Sequence, residues 1–545
     1  MSWPKFSIGL ASHSDANIRW LTNFLFAYDF NQLRQWVFSQ GTLAFLQFPL
    51  PLESNRLWAY LILGALRIII LLSIFQSPPD RWGVSLFKKS AVFLLLVQIA
   101  GHHQIFLLGI VALVMWDQKS ERTWRKILLI SLIALLWQIR LIPAIGASIL
   151  VLVYFLFEGR NKFWAVAVPI GLLASDLLFL QELSLISNKW KGLLHLALNN
   201  TELTESGVVR TPFLLFTLIG CGFLIVHQLR VKSLIWLCFL GFITFYYISR
   251  PDEGTALVLT KLAIIISLLL VVNEPSFKVK PLLVYVGSLV LIVAPFYYWF
   301  PSRPLMQKWR PLSAWNDTFW PTSAKLELKE PLEELNIKPS PLKESLQVFP
   351  GHYLGFSRIG DTIITGPIPQ AYYVLNGQLD SLQANSLLTS NKPRKVYVHL
   401  DPLNKSLNIG GQNLWHKAPR YFDALFQHYF LAFANGDYME FEMRQKAVEW
   451  EELDRFILKK QPILIELESS KYAYRINGLP PNSSHRLLIN GKRYSLSQLN
   501  SHVGAQIWPL GLDSLSHGPL SLGIDGNDTP VILERVPLFE ASSNP

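Results

Sequence analysis

The run Phe163-Trp-Ala-Val-Ala-Val-Pro-Ile-Gly-Leu-Leu-Ala-Ser-Asp-Leu-Leu-Phe-Leu180 contains a single ionisable residue, Asp176. A helix that crosses a bilayer needs about 20 apolar residues, with a range of about 17–25. The run therefore reads as a spanning helix, and its neighbours read the same way. Further candidates are Trp58–Phe75, Thr211–Leu229, Ser233–Ile248, Thr255–Val272 and Pro281–Phe300. Two longer blocks carry polar breaks at their centres. Ser90–Trp116 is interrupted by Gly101-His102-His103-Gln104, and Lys126–Phe157 by Gln138, Arg140 and Pro143. Each reads as a hairpin of two short helices. With a marginal first span over Ala16–Phe38, the expectation is an α-helical polytopic membrane bundle of about 11 short spans.

Composition agrees with that expectation. Of the 545 residues, 51% are hydrophobic and 16% are charged, against roughly 25% charged in an ordinary soluble domain. The low charge and high apolar content also exclude disorder. The two cysteines, Cys221 and Cys238, both sit in apolar stretches, which excludes a disulfide framework or a cysteine zinc site. The net charge of +11 is unevenly distributed. Residues 1–300 hold 24 Lys/Arg and 14 Asp/Glu, a net of +10, and residues 301–545 hold 25 and 24, a net of +1. The loops at 76–90, 117–126, 158–162, 230–232 and 273–280 fall on one side in the hairpin arrangement, and they carry 13 Lys/Arg. The positive-inside rule then places the N-terminus in the cytoplasm and the C-terminal part outside an inner or plasma membrane. No basic face for nucleic acid is visible in the polar half.

The chain divides into a transmembrane domain over 1–300, a Pro-rich linker over 301–346 and an extracytoplasmic α+β, β-rich domain over 347–545. Strands are expected at Lys395–Leu400, Tyr438–Met443, Pro462–Leu467 and Tyr472–Ile476. Arg486–Ile489 and Lys492–Leu496 form a further pair around the Asn490-Gly491 turn, a hairpin signal. Ser406–Ile409 is the expected partner of Lys395–Leu400. Helices are expected at Pro419–Ala434 and Glu449–Lys459, the latter running from acidic to basic as a helix dipole prefers.

Ionisable residues inside apolar runs are costly and are functional candidates by default. Arg67 and Asp176 lie mid-span. Arg67 is expected to pair with a carboxylate such as Asp29 or Asp176. Lys261 lies just inside its helix, placed to reach the interface. His102 and His103 sit at a hairpin tip, where adjacent histidines can serve as acid and base. No third ligand accompanies them, so no metal site is nominated. Glu53 is the only acid in the loop Ser39–Leu57. Phosphate-binding glycine loops, nucleophile elbows and zinc-protease motifs are absent from the sequence.

Several of these features resemble the horizontally transferred transmembrane family, which includes vitamin K-dependent γ-carboxylase. Arg19 and Asp29 have the ten-residue spacing of that family's first helix. Gln47-Phe-Pro-Leu-Pro-Leu52 is similar to its proline-rich loop, and Gly101-His102-His103-Gln104 to its polar hairpin tip. Tyr154, Phe155 and Gly159 match a Tyr-Phe-x-x-Gly-x-x-Lys stretch, with Lys162 one place from the expected lysine. Trp190-Lys191-Gly192 echoes a Trp-x-x-Gly motif. The resemblance implies an enzyme or maturation factor acting on an exported substrate at the outer face of the membrane. His102, His103 and Lys162 are then the candidate catalytic residues, with Asp176 nominated beside them as a mid-span carboxylate. The departure at the lysine puts carboxylation itself in doubt, and the cofactor stays open. Two other readings stand beside it. One is a polyprenyl-phosphate-dependent glycosyltransferase of the GT-C type, working on a lipid-linked substrate with Glu53 as its acidic residue. The other is a non-enzymatic membrane assembly subunit. The partners implied are a lipid bilayer, a lipid-linked or exported protein substrate and a protein bound through residues 347–545.

Overall fold

The computed structural model describes residues 14–36, 41–47, 54–75, 89–90, 102–119, 122–158, 162–199, 211–228, 241, 256–264, 279–300, 345–349, 362–367, 377–389, 392–399, 408–409, 412–413, 418–434, 438–465, 472–478, 486–489, 492–495, 520–525 and 527–539. The helical part contains α1 (Ser14–Tyr28), α2 (Phe30–Arg34), α3 (Asn55–Phe75), α4 (His102–Lys119), α5 (Thr123–Ile139) and α6 (Leu141–Val153). These are followed by α7 (Phe163–Leu180), α8 (Leu183–Asn199), α9 (Thr211–Gln228) and α10 (Val279–Trp299), with a further helical stretch at 256–264.

Among the described residues, one helix, Phe163–Leu180, is both long and apolar enough to cross a membrane. The apolar stretches of the other helices, including Leu57–Leu72, Pro143–Phe157, Thr211–Phe223 and Val286–Trp299, are shorter. This corrects the expected fold class. Among the described residues the helices do not form a bundle of about 11 spans, and a substantial β component stands beside them; the expected span Ser233–Ile248 lies outside the described residues apart from 241. The description as a polytopic inner-membrane protein with a periplasmic domain falls with it. So does the multi-pass location with a cytoplasmic N-terminus and an extracytoplasmic C-terminal domain, because sides were assigned by counting those spans. The physical reason is that apolar runs also supply packed helix cores. The Lys126–Phe157 block shows this. Arg140 is extended, with φ −155° and ψ 120°, and ends α5. Leu129, Leu132, Leu136 and Ile139 on one side of that break and Ala144, Ala147, Leu150 and Val151 on the other join one buried cluster with α3 and α4.

The C-terminal part holds two layered units. The first is a five-stranded sheet in the order β2-β1-β3-β7-β6. Its strands are β1 (Ser345–Phe349), β2 (Thr362–Ile363), β3 (Lys395–His399), β6 (Tyr429–Ala434) and β7 (Tyr438–Met443). β1 runs parallel to β2 and β3, and β7 runs antiparallel to β3 and β6. Side chains alternate between its faces, as strand geometry requires. Phe349, Val396, Val398, Met439 and Phe441 meet α12 (Pro419–His428) and α11 (Gly377–Asn385). Leu346, Val348, Ile363, Tyr397 and Tyr438 share a cluster with Ile18, Leu21, Leu25, Leu33 and Trp36. The N-terminal helices thus pack on the C-terminal sheet, and that contact bridges the expected division at 301–346.

The second unit is a sandwich of two antiparallel sheets. One has the order β10-β14-β8, with β8 (Glu451–Leu458), β10 (Tyr472–Asn477) and β14 (Thr529–Pro537). The other has the order β12-β11-β13-β9, with β9 (Ile463–Ile465), β11 (Arg486–Ile489), β12 (Lys492–Ser495) and β13 (Leu520–Asp525). Leu458, Tyr474, Ile476, Leu522, Ile524, Val531 and Leu533 fill the space between them. The Asn490-Gly491 hairpin forms with Ile489 opposite Lys492. The stretch Glu449–Lys459, expected as a helix, contains strand β8, because β14 offers it a ladder broken once, between Leu533 and Glu534, with Arg535 Nε 3.0 Å from Glu451 Oε2. The helix expected over Pro419–Ala434 ends at His428, and Tyr429 begins β6. Asn408–Ile409 forms β4 and pairs with β5 (Gln412–Asn413), while β3 takes β1 and β7 as its neighbours.

Candidate functional site: the Asp176 cluster

α7 carries two unlike faces. Ala165, Val168, Ser175, Asp176 and Leu180 are buried. Phe163, Val166, Ile170, Leu173 and Leu177 recur at spacings of three and four, and each is between 43% and 67% exposed. Gln181, in the left-handed region at φ 64°, ends the helix. The chain then turns into α8, which brings Lys189 and Trp190 back beside Asp176.

The Asp176 carboxylate is fully buried. Its Oδ1 accepts hydrogen bonds from Gln138 Nε2 at 2.8 Å, Lys189 Nζ at 2.9 Å and Trp137 Nε1 at 3.0 Å. Its Oδ2 lies 3.1 Å from both Trp137 Nε1 and Trp190 Nε1. The two indoles stack with centroids 4.8 Å apart, and Lys189 Nζ lies 5.7 Å from the Trp137 ring centroid. Gln138 extends the network. Its Nε2 also donates to Ser175 Oγ at 2.9 Å, and its Oε1 accepts from Thr42 Oγ1 at 3.0 Å. A carboxylate has about four acceptor positions. Those of Asp176 are taken by side chains from α5 and α8. Chemically, it is a pin joining three helices, with no acceptor left over to draw a proton from a substrate.

Lys162 and Arg67, the other candidates whose side chains are described, do not converge on it. Lys162 is exposed at the start of α7. It is separated from Asp176 by about 21 Å along the helix, at about 1.5 Å per residue. His102 and His103 open α4, and their side chains, like Glu53, lie outside the described residues. Arg67 meets neither of its expected partners. Asp29 caps α2, accepting from Gln32 N and Gln32 Nε2, and Asp176 pairs with Lys189. Lys189 is not among the residues that the sequence singles out. The available signal was its place one short turn and two helical turns after a run with a central aspartate.

Buried polar clusters also occur elsewhere. Asp117, fully buried, accepts from Tyr154 Oη at 2.8 Å and Arg122 N at 3.0 Å. This ties the α4–α5 turn to the π-helical turn Tyr154–Glu158. In the C-terminal part, Asp380 of α11 accepts from Arg420 N at 2.7 Å and Tyr421 N at 3.0 Å, capping α12. Burial pushes its carboxyl up to about 7, against the opposing pull of those two amides. Asp423 accepts from Arg475 Nη1 at 2.9 Å and from the Trp450 indole. Arg475 Nε in turn lies 2.5 Å from Glu534 Oε2, so α12 is fastened to β10 and β14. Burial raises the Asp423 carboxyl, partly offset by Arg475.

No protein-family model matches the chain, and neither a curated protein nor a solved structure does. Fold and cluster together define a helical array pinned by a buried ion pair, joined through its first two helices to a mixed sheet with a β-sandwich behind it.

Proposed function

We propose that this chain is a non-enzymatic assembly subunit that contacts a lipid bilayer through α7 and offers its C-terminal part to a protein partner. The exposed apolar stripe of α7, opposite the face pinned by Asp176, carries the reading. Large contiguous apolar surface mostly marks an interaction site with protein or membrane. Lipid suits this one because α7, the one described helix long and apolar enough to cross a membrane, is about 27 Å long at 1.5 Å per residue, close to the roughly 30 Å hydrocarbon layer.

The saturated Asp176 favours assembly over catalysis, since a general base needs a free acceptor within reach of a proton. The carboxylase-like reading asks for His102, His103 and Lys162 in one cavity facing outside; Lys162 is exposed at the start of α7, and the two histidine side chains lie outside the described residues. Flotation of the full chain with phosphatidylcholine vesicles tests the lipid contact. The expected result is co-flotation that survives alkaline carbonate. Full chain left in the dense fraction would overturn it. Photo-crosslinking from Phe433 and Phe539, both exposed on the C-terminal part, tests for the partner.

A further inference from the structure

Among the described residues the strongest unexplained group is Arg67. It stands near the middle of α3, on a turn that also buries Leu63, Leu66 and Ile70. It is 9% exposed. Its Nη1 donates one hydrogen bond, at 3.2 Å, to the Leu63 carbonyl one turn back. Its Nε is buried with no partner. The guanidinium has five N–H donors in a planar fork suited to an oxyanion. No carboxylate meets it among the described residues. The two buried carboxylates of the helical array are both committed elsewhere, Asp117 to Tyr154 and Arg122, and Asp176 to Lys189, Gln138 and the two indoles.

A buried charge without a counter-charge is strongly unfavourable. A helix that carries one gains most when an anion arrives from outside the chain. We infer that Arg67 is the anchor of a binding site for an amphipathic anion, one carboxylate or phosphate group on an apolar body. The fork would take the oxyanion in charge-assisted hydrogen bonds, and the apolar surroundings of that turn suit the body. The inference does not depend on the chain having a protein partner.

The test is native mass spectrometry of the full-length protein in neutral detergent, titrated with four probes: oleate, lysophosphatidic acid, oleyl alcohol and inorganic phosphate. Wild type should bind oleate or lysophosphatidic acid at least tenfold more tightly than oleyl alcohol. Arg67→Gln should lose that preference, and Arg67→Lys should keep part of it. Because Arg67→Gln removes an unpaired buried charge, its ligand-free Tm should equal or exceed that of wild type, which separates lost binding from lost folding. Oleyl alcohol binding as well as oleate, or Arg67→Gln binding every probe as wild type does, would overturn the site. Inorganic phosphate binding as tightly as lysophosphatidic acid would overturn the apolar body and leave a free oxyanion as the ligand.

Discussion

Lys189 Nζ lies 2.9 Å from Asp176 Oδ1, and both side chains are buried, so consecutive helices α7 and α8 hold a closed ion pair inside the helical array. The charges neutralise one another where neither could stand alone. The remaining acceptor positions of Asp176 are filled by Gln138 and two indole N–H groups. Replacing Asp176 by Ala should therefore leave a cation and two indole N–H donors unpaired, while Gln138 Nε2 keeps its bond to Ser175 Oγ. Removing one partner of such a pair costs about 3–5 kcal/mol. A large drop in Tm in detergent is expected, with partial recovery in Asp176→Asn/Lys189→Met. An Asp176→Ala protein as stable as wild type would show that the pair is not a pin.

The Gln32 side chain stands in for a strand beside β2. Its Nε2 donates to the Ile363 carbonyl, and Thr365 N donates to its Oε1 at 2.8 Å. Trp36 Nε1 adds a bond to Thr365 Oγ1 at 3.0 Å. Gln32→Ala should leave that edge open. The expected loss is about 1–3 kcal/mol for groups left unsatisfied. Amide exchange at 362–365 should accelerate while the β7 amides stay protected.

Asp380 gives the C-terminal part a pH dependence of definite sign. Its carboxyl is raised from 3.8 to about 7 in the fold, mainly by burial. A raised carboxyl binds its proton more tightly folded than unfolded, so the contribution is complete below about 4 and is lost as pH rises towards 7. At roughly 1.4 kcal/mol per unit, the change is on the order of 4 kcal/mol. Urea midpoints should fall between pH 5 and pH 7.5, and in Asp380→Asn this step should disappear.

Two glycines should respond oppositely to alanine. A Cβ at Gly41 would lie 2.4 Å from the Gln138 carbonyl oxygen, on backbone that cannot yield without moving α5. A Cβ at Gly222, in α9, meets nothing within 4 Å. Gly41→Ala should lower Tm markedly. Gly222→Ala should leave it unchanged or raise it, since Ala is favoured over Gly in a helix by up to about 1 kcal/mol.

Much of the C-terminal part was legible in the residues. Tyr438–Met443 and Arg486–Ile489 match β7 and β11 residue for residue, because alternation and an Asn-Gly turn are local signals. Glu449–Lys459 misled because charge order favours a helix locally, and only the distant partner β14 makes β8 a strand. Tyr429 illustrates the same limit. Its hydroxyl donates to the Pro393 carbonyl and its residue opens β6, contacts that no helical periodicity in 419–434 announces. In the described helices, apolar runs overstated the number of crossing segments, because a run does not say whether its far face meets protein or lipid. Asp176 stood out as a mid-run carboxylate, but its partner lay across the turn at Gln181, and spacing alone could not choose Lys189 over Arg67.

The lipid contact of α7 is tested most directly by a spin label at Ile170→Cys, with Cys221 and Cys238 replaced by serine and the full chain in phosphatidylcholine vesicles. Ile170 is 58% exposed at the centre of the apolar stripe. Dissolved oxygen should relax this label strongly and a water-soluble nickel chelate hardly at all, with the reverse order for a label at Lys162→Cys. Nickel reaching Ile170 as readily as Lys162, or a chain that does not associate with the vesicles, would contradict it.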